Sequence, residues 1–237
     1  MNAWDDPRVR RGMEKQLAWR RERLAAGEKA IGWKVGFGAP AILARLGIEK
    51  PLVGFLTDRA RLQSGIAISL QGWTKPVAEP EIAVYMGADL PAGADSNTVK
   101  AAIASIGPAI ELADVDRQTE PDTLESVLAG NIFQRNVVLG APDRSRAGAN
   151  LQGLAGRVFR GGIEIAQTSD VTANTGEPIA LVRHVADMLA ALGERLRAGE
   201  FIITGSIVPP LFIEANDESV QFELVPVGSV LVRFSRD

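Results

Sequence analysis

Glu79-Pro80-Glu81 is the arrangement with the most chemical content in this sequence. On a β-strand, residues i and i+2 project from the same face, so the two carboxylates stand side by side. Adjacent carboxylates repel one another unless water or a cation separates them. The flanking residues, Val77-Ala78 and Ile82-Ala83-Val84, are apolar, so water is not assured. A third acid, Glu111, lies within Pro108-Ala109-Ile110-Glu111-Leu112-Ala113, again among residues that read as core. A charge on a buried strand must be paired or must hold a metal. An ordinary edge pair or salt bridge remains open for each of these acids, and Asp114 and Asp116 follow closely as alternative ligands. Spacing alone does not choose among them.

Composition narrows the metal chemistry. The 237 residues contain no Cys and one His. That excludes disulfides, iron–sulfur clusters, a Cys nucleophile, Cys-ligated zinc and any site with two His from one chain. A metal here must be held mostly by oxygen, which favours Mg²⁺ or Mn²⁺. The formal charge of −3 argues against a nucleic-acid partner. No apolar run is long enough for a membrane span. Met1-Asn2-Ala3-Trp4-Asp5-Asp6 lacks the pattern of a signal peptide, so a cytoplasmic location is expected.

Elements to position these residues can be read along the chain. A helix is expected over 7–27, opened by Asp5-Asp6-Pro7 and closed by Gly27, with Val9, Met13, Leu17 and Leu24 on its apolar stripe. Its seven basic residues are read as a solvated face. Strands are expected at 31–37, 53–56, 66–70, 77–86, 109–113, 137–139, 201–206, 220–225 and 229–234. Pro80 marks its strand as an edge or a bulge. Short helices are expected at 40–46, 96–106 (capped by Ser96 or Asn97) and 122–129, and a longer one at 178–192. Gly161-Gly162 between alternating strands predicts a hairpin over 158–165. Many strands without βαβ alternation predict an α+β fold on a long curved sheet, mixed or antiparallel. The boundaries read as an N-terminal region, 1–70, packed on a main domain, 71–237, the two forming one structural unit.

In order, the sequence contains Gly32-Trp33-Lys34-Val35-Gly36, Glu79-Pro80-Glu81-Ile82-Ala83, Ala109-Ile110-Glu111, Ala129-Gly130-Asn131, Leu192-Gly193-Glu194-Arg195-Leu196-Arg197-Ala198-Gly199-Glu200 and Thr204-Gly205-Ser206. This ordered set, over about residues 5–235, resembles the 2-keto-4-pentenoate hydratase group of the fumarylacetoacetate hydrolase superfamily. The resemblance implies a rolled mixed sheet with flanking helices. It implies one Mg²⁺ or Mn²⁺ on Glu79, Glu81 and Glu111, and Lys34 as an acid/base residue. It further implies a small 2-oxo or 2-hydroxydienoic acid substrate from aromatic-ring degradation, and a homo-oligomer. Asn131 and Ser206 fall in its substrate-binding motifs.

The sequence departs from the group at the proton-handling positions. Hydratases of the group carry an Asp shortly before the glycine matched by Gly54, where it partners the lysine; here that residue is Leu52. Their Ala-Asp-Asn reads Ala129-Gly130-Asn131, followed by the larger Phe133-Gln134-Arg135. Arg135 is a candidate to bind a second substrate carboxylate, because a guanidinium fork suits that partner, with plain surface solvation as the alternative. Asp58 is a candidate for the pocket lining. Trp33 reads as core and His184 as a structural helix residue. The expectation is a metal-dependent hydratase. An oxalocrotonate-type decarboxylase, a C–C hydrolase and an inactive ligand-binding paralogue are the alternatives. The absence of any His from the N-terminal part weighs against the hydrolase.

Overall fold

The computed structural model describes residues 2–115 and 123–235. In chain order the elements are α1 (Pro7–Ala25), β1 (Ala30–Gly36), α2 (Pro40–Leu46), β2 (Leu52–Thr57), β3 (Arg61–Gln63), β4 (Ala67–Ser69), β5 (Pro76–Met86), α3 (Ser96–Ala102), β6 (Ile103–Asp114), α4 (Leu124–Ala129), β7 (Gln134–Leu139), β8 (Ala155–Arg160), β9 (Ile163–Thr168), α5 (Pro178–Ala191), β10 (Phe201–Ser206), β11 (Leu211–Phe212), β12 (Ser219–Val225) and β13 (Gly228–Ser235). The fold is α+β, a curled mixed sheet with flanking helices. Asp116 and the expected start of the helix at Asp122 lie outside the described residues.

The main sheet has eight strands, in the order β2-β1-β10-β5-β6-β7-β3, with β11 extending the pairing of β5. β1 runs parallel to β10 and β3 parallel to β7; the other pairs are antiparallel. Its two edge strands, β2 and β3, are separated in the chain only by the turn Asp58–Ala60. The edges therefore meet, and the sheet must curl back on itself. The second sheet, β4-β13-β12-β8-β9, has five strands. Segments from 1–70 and from 71–237 interleave in both sheets: β1 and β2 lie beside β10, and β4 beside β13.

Strand alternation separates two faces of the main sheet. One carries Trp33, Ile82, Val84, Ile106, Ile110 and Ile202, and joins the large core beneath the helices. The other is lined by Leu56, Ala83, Ala109, Val137, Phe201 and Ile203. Lys34, Glu79, Glu81 and Glu111 share this second face: Lys34 pairs with Ile203, Ile203 with Ala83, and Glu81 with Ala109.

Packing explains the helices. α1 buries Val9, Met13 and Leu17. Asp6 caps it by accepting from Arg8 N, with Pro7 in the first turn. Its basic residues are largely ion-paired: Arg11 and Lys15 with Glu125 at 2.8 and 2.7 Å, Arg20 with Glu194 at 3.1 Å, and Arg23 with Glu28 at 2.9 Å. Arg20 also stacks over Trp33, 4.7 Å from the ring centroid. Trp33 is fully buried and donates from Nε1 to Glu200, so it is core, as read. The Gly161-Gly162 hairpin turn has φ of 55° and 82°, the left-handed backbone that a two-residue turn demands.

Three local expectations are corrected. β5 is central rather than an edge, while the alternative of a bulge holds beside Pro80, where the pairing with β10 shifts register between Ile203 (opposite Ala83) and Ser206 (opposite Glu81). The N and O of one residue point to the same side of a strand, and Pro80 O faces Ile207 N on the β10 side. On that side the ladder stops at Ser206–Glu81 and resumes with Leu211–Ala78, so the missing donor of Pro80 falls in the gap. The helix expected over 96–106 ends at Ala102, because Ile103, Ser105 and Ile106 are drawn into the long pairing of β6 with β5. Its cap is Asp95, which accepts from Thr98 N, rather than Ser96 or Asn97.

Candidate metal and active site

Register builds the acidic cluster. Glu79 lies directly across from Glu111 on β6, and Glu81 is one same-face step along β5. The three carboxylates bring oxygens within 4.8 Å of one another. Glu81 and Glu111 are fully buried, and Glu79 is partly so. Asp114 belongs elsewhere, since its carboxylate accepts from the backbone of Thr74 and Lys75.

Lys34 enters the cluster from β1. It is buried, and its ammonium donates to Glu111 Oε1 and, at 3.1 Å, to the Ile132 carbonyl. Its carboxylate partner is thus a member of the acidic trio; Leu52, on the same face of β2 as Gly54, supplies none. Gly54 is opposite Lys34 for a steric reason. A Cβ there would lie 2.8 Å from Lys34 Cγ and 2.7 Å from Asn131 Oδ1.

The Ile132 carbonyl is positioned by a costly piece of backbone. Asn131, Ile132 and Phe133 have φ of 57°, 53° and 61°. Such a conformation costs on the order of 1–3 kcal/mol per non-glycine residue and persists only where the surroundings enforce it. Asn131 does so by accepting from Phe55 N at 2.8 Å and donating to Phe55 O at 2.9 Å. Ile132 N is held by Val127 O at 2.8 Å.

Electrostatics show strain of another kind. Burial, reinforced by Glu111 and opposed by Lys34, pushes Glu79 up to about 7. Burial, Glu111 and Glu79 raise Glu81 well above the usual carboxylate range, against the pull of Lys34 and the Gly205 N–H. That N–H donates to Glu81 Oε2 at 2.6 Å. Glu81 Oε1 and Glu111 Oε2 are buried without a hydrogen-bond partner among the described residues. Once all three are ionised, three carboxylates against one ammonium leave two negative charges uncompensated. Orphaned oxygens, an all-oxygen donor set and a deficit of two charges fit a hard divalent cation.

A cavity of about 670 Å³ opens at Glu79. Thr204, Gly205 and Ser206 lie around it, with apolar walls that include Phe37, Val77 and Phe133. The Ser206 hydroxyl is buried without a partner, while its carbonyl is held by Asn174 at 2.7 Å.

The other expected substrate residues are placed differently. Arg135 stacks over Trp73, 4.5 Å from the ring centroid, approaches Asp114 at 3.8 Å, and lines a separate cavity with Trp19 and Arg23. Asp58 caps Lys29 N at 3.0 Å and is exposed. Asn131 spends its amide on Phe55. None of these three is among the residues that line the cavity at Glu79. His184 is buried and contacts the Pro51 carbonyl at 2.9 Å, a structural place. The Gly205 N–H, the Ile132 carbonyl and Arg45, which lines the cavity from α2, were not singled out in the sequence. The glycine of Thr204-Gly205-Ser206, with φ of 92°, was the one local signal among them.

Comparison with known proteins places the chain among named relatives. The chain is 30% identical over 216 residues to a 4-oxalocrotonate decarboxylase of Pseudomonas putida, covering 91% of this chain and 81% of that protein. It is 31% identical over 211 residues to a 2-hydroxyhexa-2,4-dienoate hydratase of Comamonas testosteroni, covering 88% and 78%. The structure of 4-oxalocrotonate decarboxylase from Pseudomonas putida G7, complexed with magnesium and adipate, superposes with a TM-score of 0.84 at 29% identity, over 93% of this chain and 83% of that one. The family model for the fumarylacetoacetate (FAA) hydrolase C-terminal domain matches residues 40–234, and the chain belongs to that family.

Proposed function

We propose that this protein is a divalent-metal-dependent lyase of the hydratase type, acting on a small 2-oxo or 2-hydroxydienoic acid from aromatic-ring degradation. The observation that carries this reading is the convergence of Glu79, Glu81 and Glu111 with Lys34 beside a partly apolar cavity. Glu79, Glu81 and Glu111 would hold Mg²⁺ or Mn²⁺, which supplies charge stabilisation for an enolate oxygen at C2. Lys34 would hold and move the proton at Nζ, its position fixed by the Ile132 carbonyl and Glu111. The partnerless Ser206 hydroxyl is available to orient the substrate. Phe37, Val77 and Phe133 would shield the conjugated chain from bulk water, and hydration then adds one water across its double bond. In this reading the protein is cytoplasmic and homo-oligomeric; no helix among the described residues is long and apolar enough to cross a membrane.

Decarboxylation is the second reading, favoured by one observation. Leu52 is buried and apolar on the strand facing Lys34, so among the described residues no acid besides the trio stands ready to activate water there. Loss of CO₂ from a β,γ-unsaturated 2-oxo diacid forms the same enolate without that water. The test is turnover of 2-hydroxypenta-2,4-dienoate and of an oxalocrotonate-type acid with Mg²⁺, followed by ultraviolet absorbance. Turnover abolished in Glu81→Ala supports the metal site, and the preferred substrate separates the two readings. A wild-type protein that binds neither Mg²⁺ nor oxalate overturns both.

A further inference from the structure

The turn at Thr204-Gly205-Ser206 is held from two sides. Ser206 lies directly across from Glu81 in the pairing of β10 with β5. Side chains of opposed residues share a face, with Cβ atoms about 5 Å apart, so the Ser206 hydroxyl stands beside the acidic trio. It is buried, lines the cavity at Glu79 and has no hydrogen-bond partner among the described residues. On the other side β1 pairs with β10 only as far as Ile203, short of Ser206. Beyond that point the Asn174 side chain takes the place of a neighbouring strand, its Nδ2 donating to the Ser206 carbonyl at 2.7 Å.

Asn174 lines the same cavity and is itself firmly placed, on the segment between β9 and α5. Asp170 Oδ1 accepts from Thr172 N at 3.0 Å and from Thr172 Oγ1 at 2.8 Å. The Thr172 carbonyl accepts from Thr175 N at 3.1 Å and from Gly176 N at 2.7 Å, closing a tight turn around Asn174. Val171 and Thr175 anchor that turn in the interior. The turn it holds is less constrained, because Gly205, with φ of 92°, lacks the side chain that would restrict rotation.

We propose that Asn174 is a positioning residue: by holding the Ser206 carbonyl it aims the Ser206 hydroxyl at the 2-oxo acid head of the ligand. This rests on the reading of Glu79, Glu81 and Glu111 as the site of that head group. A carbonyl stripped of its donor in a buried turn is costly, so the backbone rotates to recover a partner and carries the Ser206 side chain with it.

The test uses the full chain and isothermal titration calorimetry. Mg²⁺ is titrated first, and oxalate, as a probe of the 2-oxo acid head, is then titrated into the Mg²⁺-saturated protein. Ser206→Ala is expected to weaken oxalate about fivefold, the worth of one hydrogen bond. Asn174→Ala should weaken it by a similar factor while Mg²⁺ affinity stays within about twofold of wild type. Asn174→Leu, which fills the space but cannot donate, should behave like Asn174→Ala. In the double variant the loss should be no larger than in Ser206→Ala alone, because Asn174 acts through that hydroxyl. Single losses that multiply in the double variant overturn the inference, as does unaltered oxalate binding in Ser206→Ala, Asn174→Ala or Asn174→Leu. A parallel fall in Mg²⁺ affinity also overturns it, since Asn174 then only stabilises the fold around the trio. Absence of oxalate binding by the wild type removes the underlying reading instead.

Discussion

If three carboxylates share a buried site with one lysine, the metal-free protein should lose stability as pH rises. Glu79 shows the size of the effect. Its folded-state value is raised from 4.5 to about 7. A carboxyl with a raised folded value favours the native state while protonated. Its contribution is full below pH 4.5 and is lost as pH climbs through about 7. At about 1.4 kcal/mol per unit, the shift corresponds to at most about 3.5 kcal/mol. Partial exposure of Glu79 reduces that to roughly half. Glu81, raised by burial and by its two glutamate neighbours, acts in the same direction. His184 opposes them: burial lowers its value from 6.5, so its contribution fades as pH falls below that point. The assay is therefore differential. Urea unfolding of EDTA-treated wild type and Glu79→Gln, from pH 5 to 8.5, cancels His184. The stability of the wild type relative to the variant should drop by about 1.5–3 kcal/mol over this range. Adding Mg²⁺ or Mn²⁺ should restore it at pH 8 and do little at pH 5, where Glu79 is protonated. A flat difference, or equal stabilisation by metal at both pH values, would refute the reasoning.

Other substitutions test the surrounding architecture. Lys34→Met should leave a folded protein with kcat lowered about 10²- to 10⁴-fold, the range for losing a positioned proton carrier; steady-state turnover of a dienoate measures it. Gly54→Ala forces a methyl to 2.8 Å from Lys34 Cγ and should cost about 1–3 kcal/mol by urea unfolding, with lowered activity. Asn131→Ala removes both hydrogen bonds to Phe55 and frees the left-handed turn, so a fall in melting temperature, equivalent to about 2–3 kcal/mol, should exceed any change in KM. A large KM effect without loss of stability would instead restore Asn131 to direct substrate binding.

Much of this molecule is legible in local sequence, and particular residues show the limit. The period of two along 77–86 puts Glu79 and Glu81 on one face of a strand without knowledge of its neighbours. Asp6-Pro7 starts α1, and Gly161-Gly162 turns a hairpin, because capping and backbone freedom are local properties. The absence of Cys and the single His restrict any metal to mostly oxygen donors in whatever fold the chain adopts. What strand lies beside β5 is different, because pairing joins residues far apart in sequence. Only the antiparallel register with β6 sets Glu111 opposite Glu79, and only the curl of the sheet sends Lys34 into the same space. Pro80 read as an edge residue because the gap between β10 and β11 is a tertiary feature. Arg135 and Asp58 had suitable chemistry but point to Trp73 and Lys29. Arg45 reaches the cavity through the placement of α2, which its own residues do not specify. Composition and periodicity determined what chemistry was available and which face each strand residue takes. Tertiary structure decided which of those residues meet, because strand register and sheet closure are set by packing the whole chain.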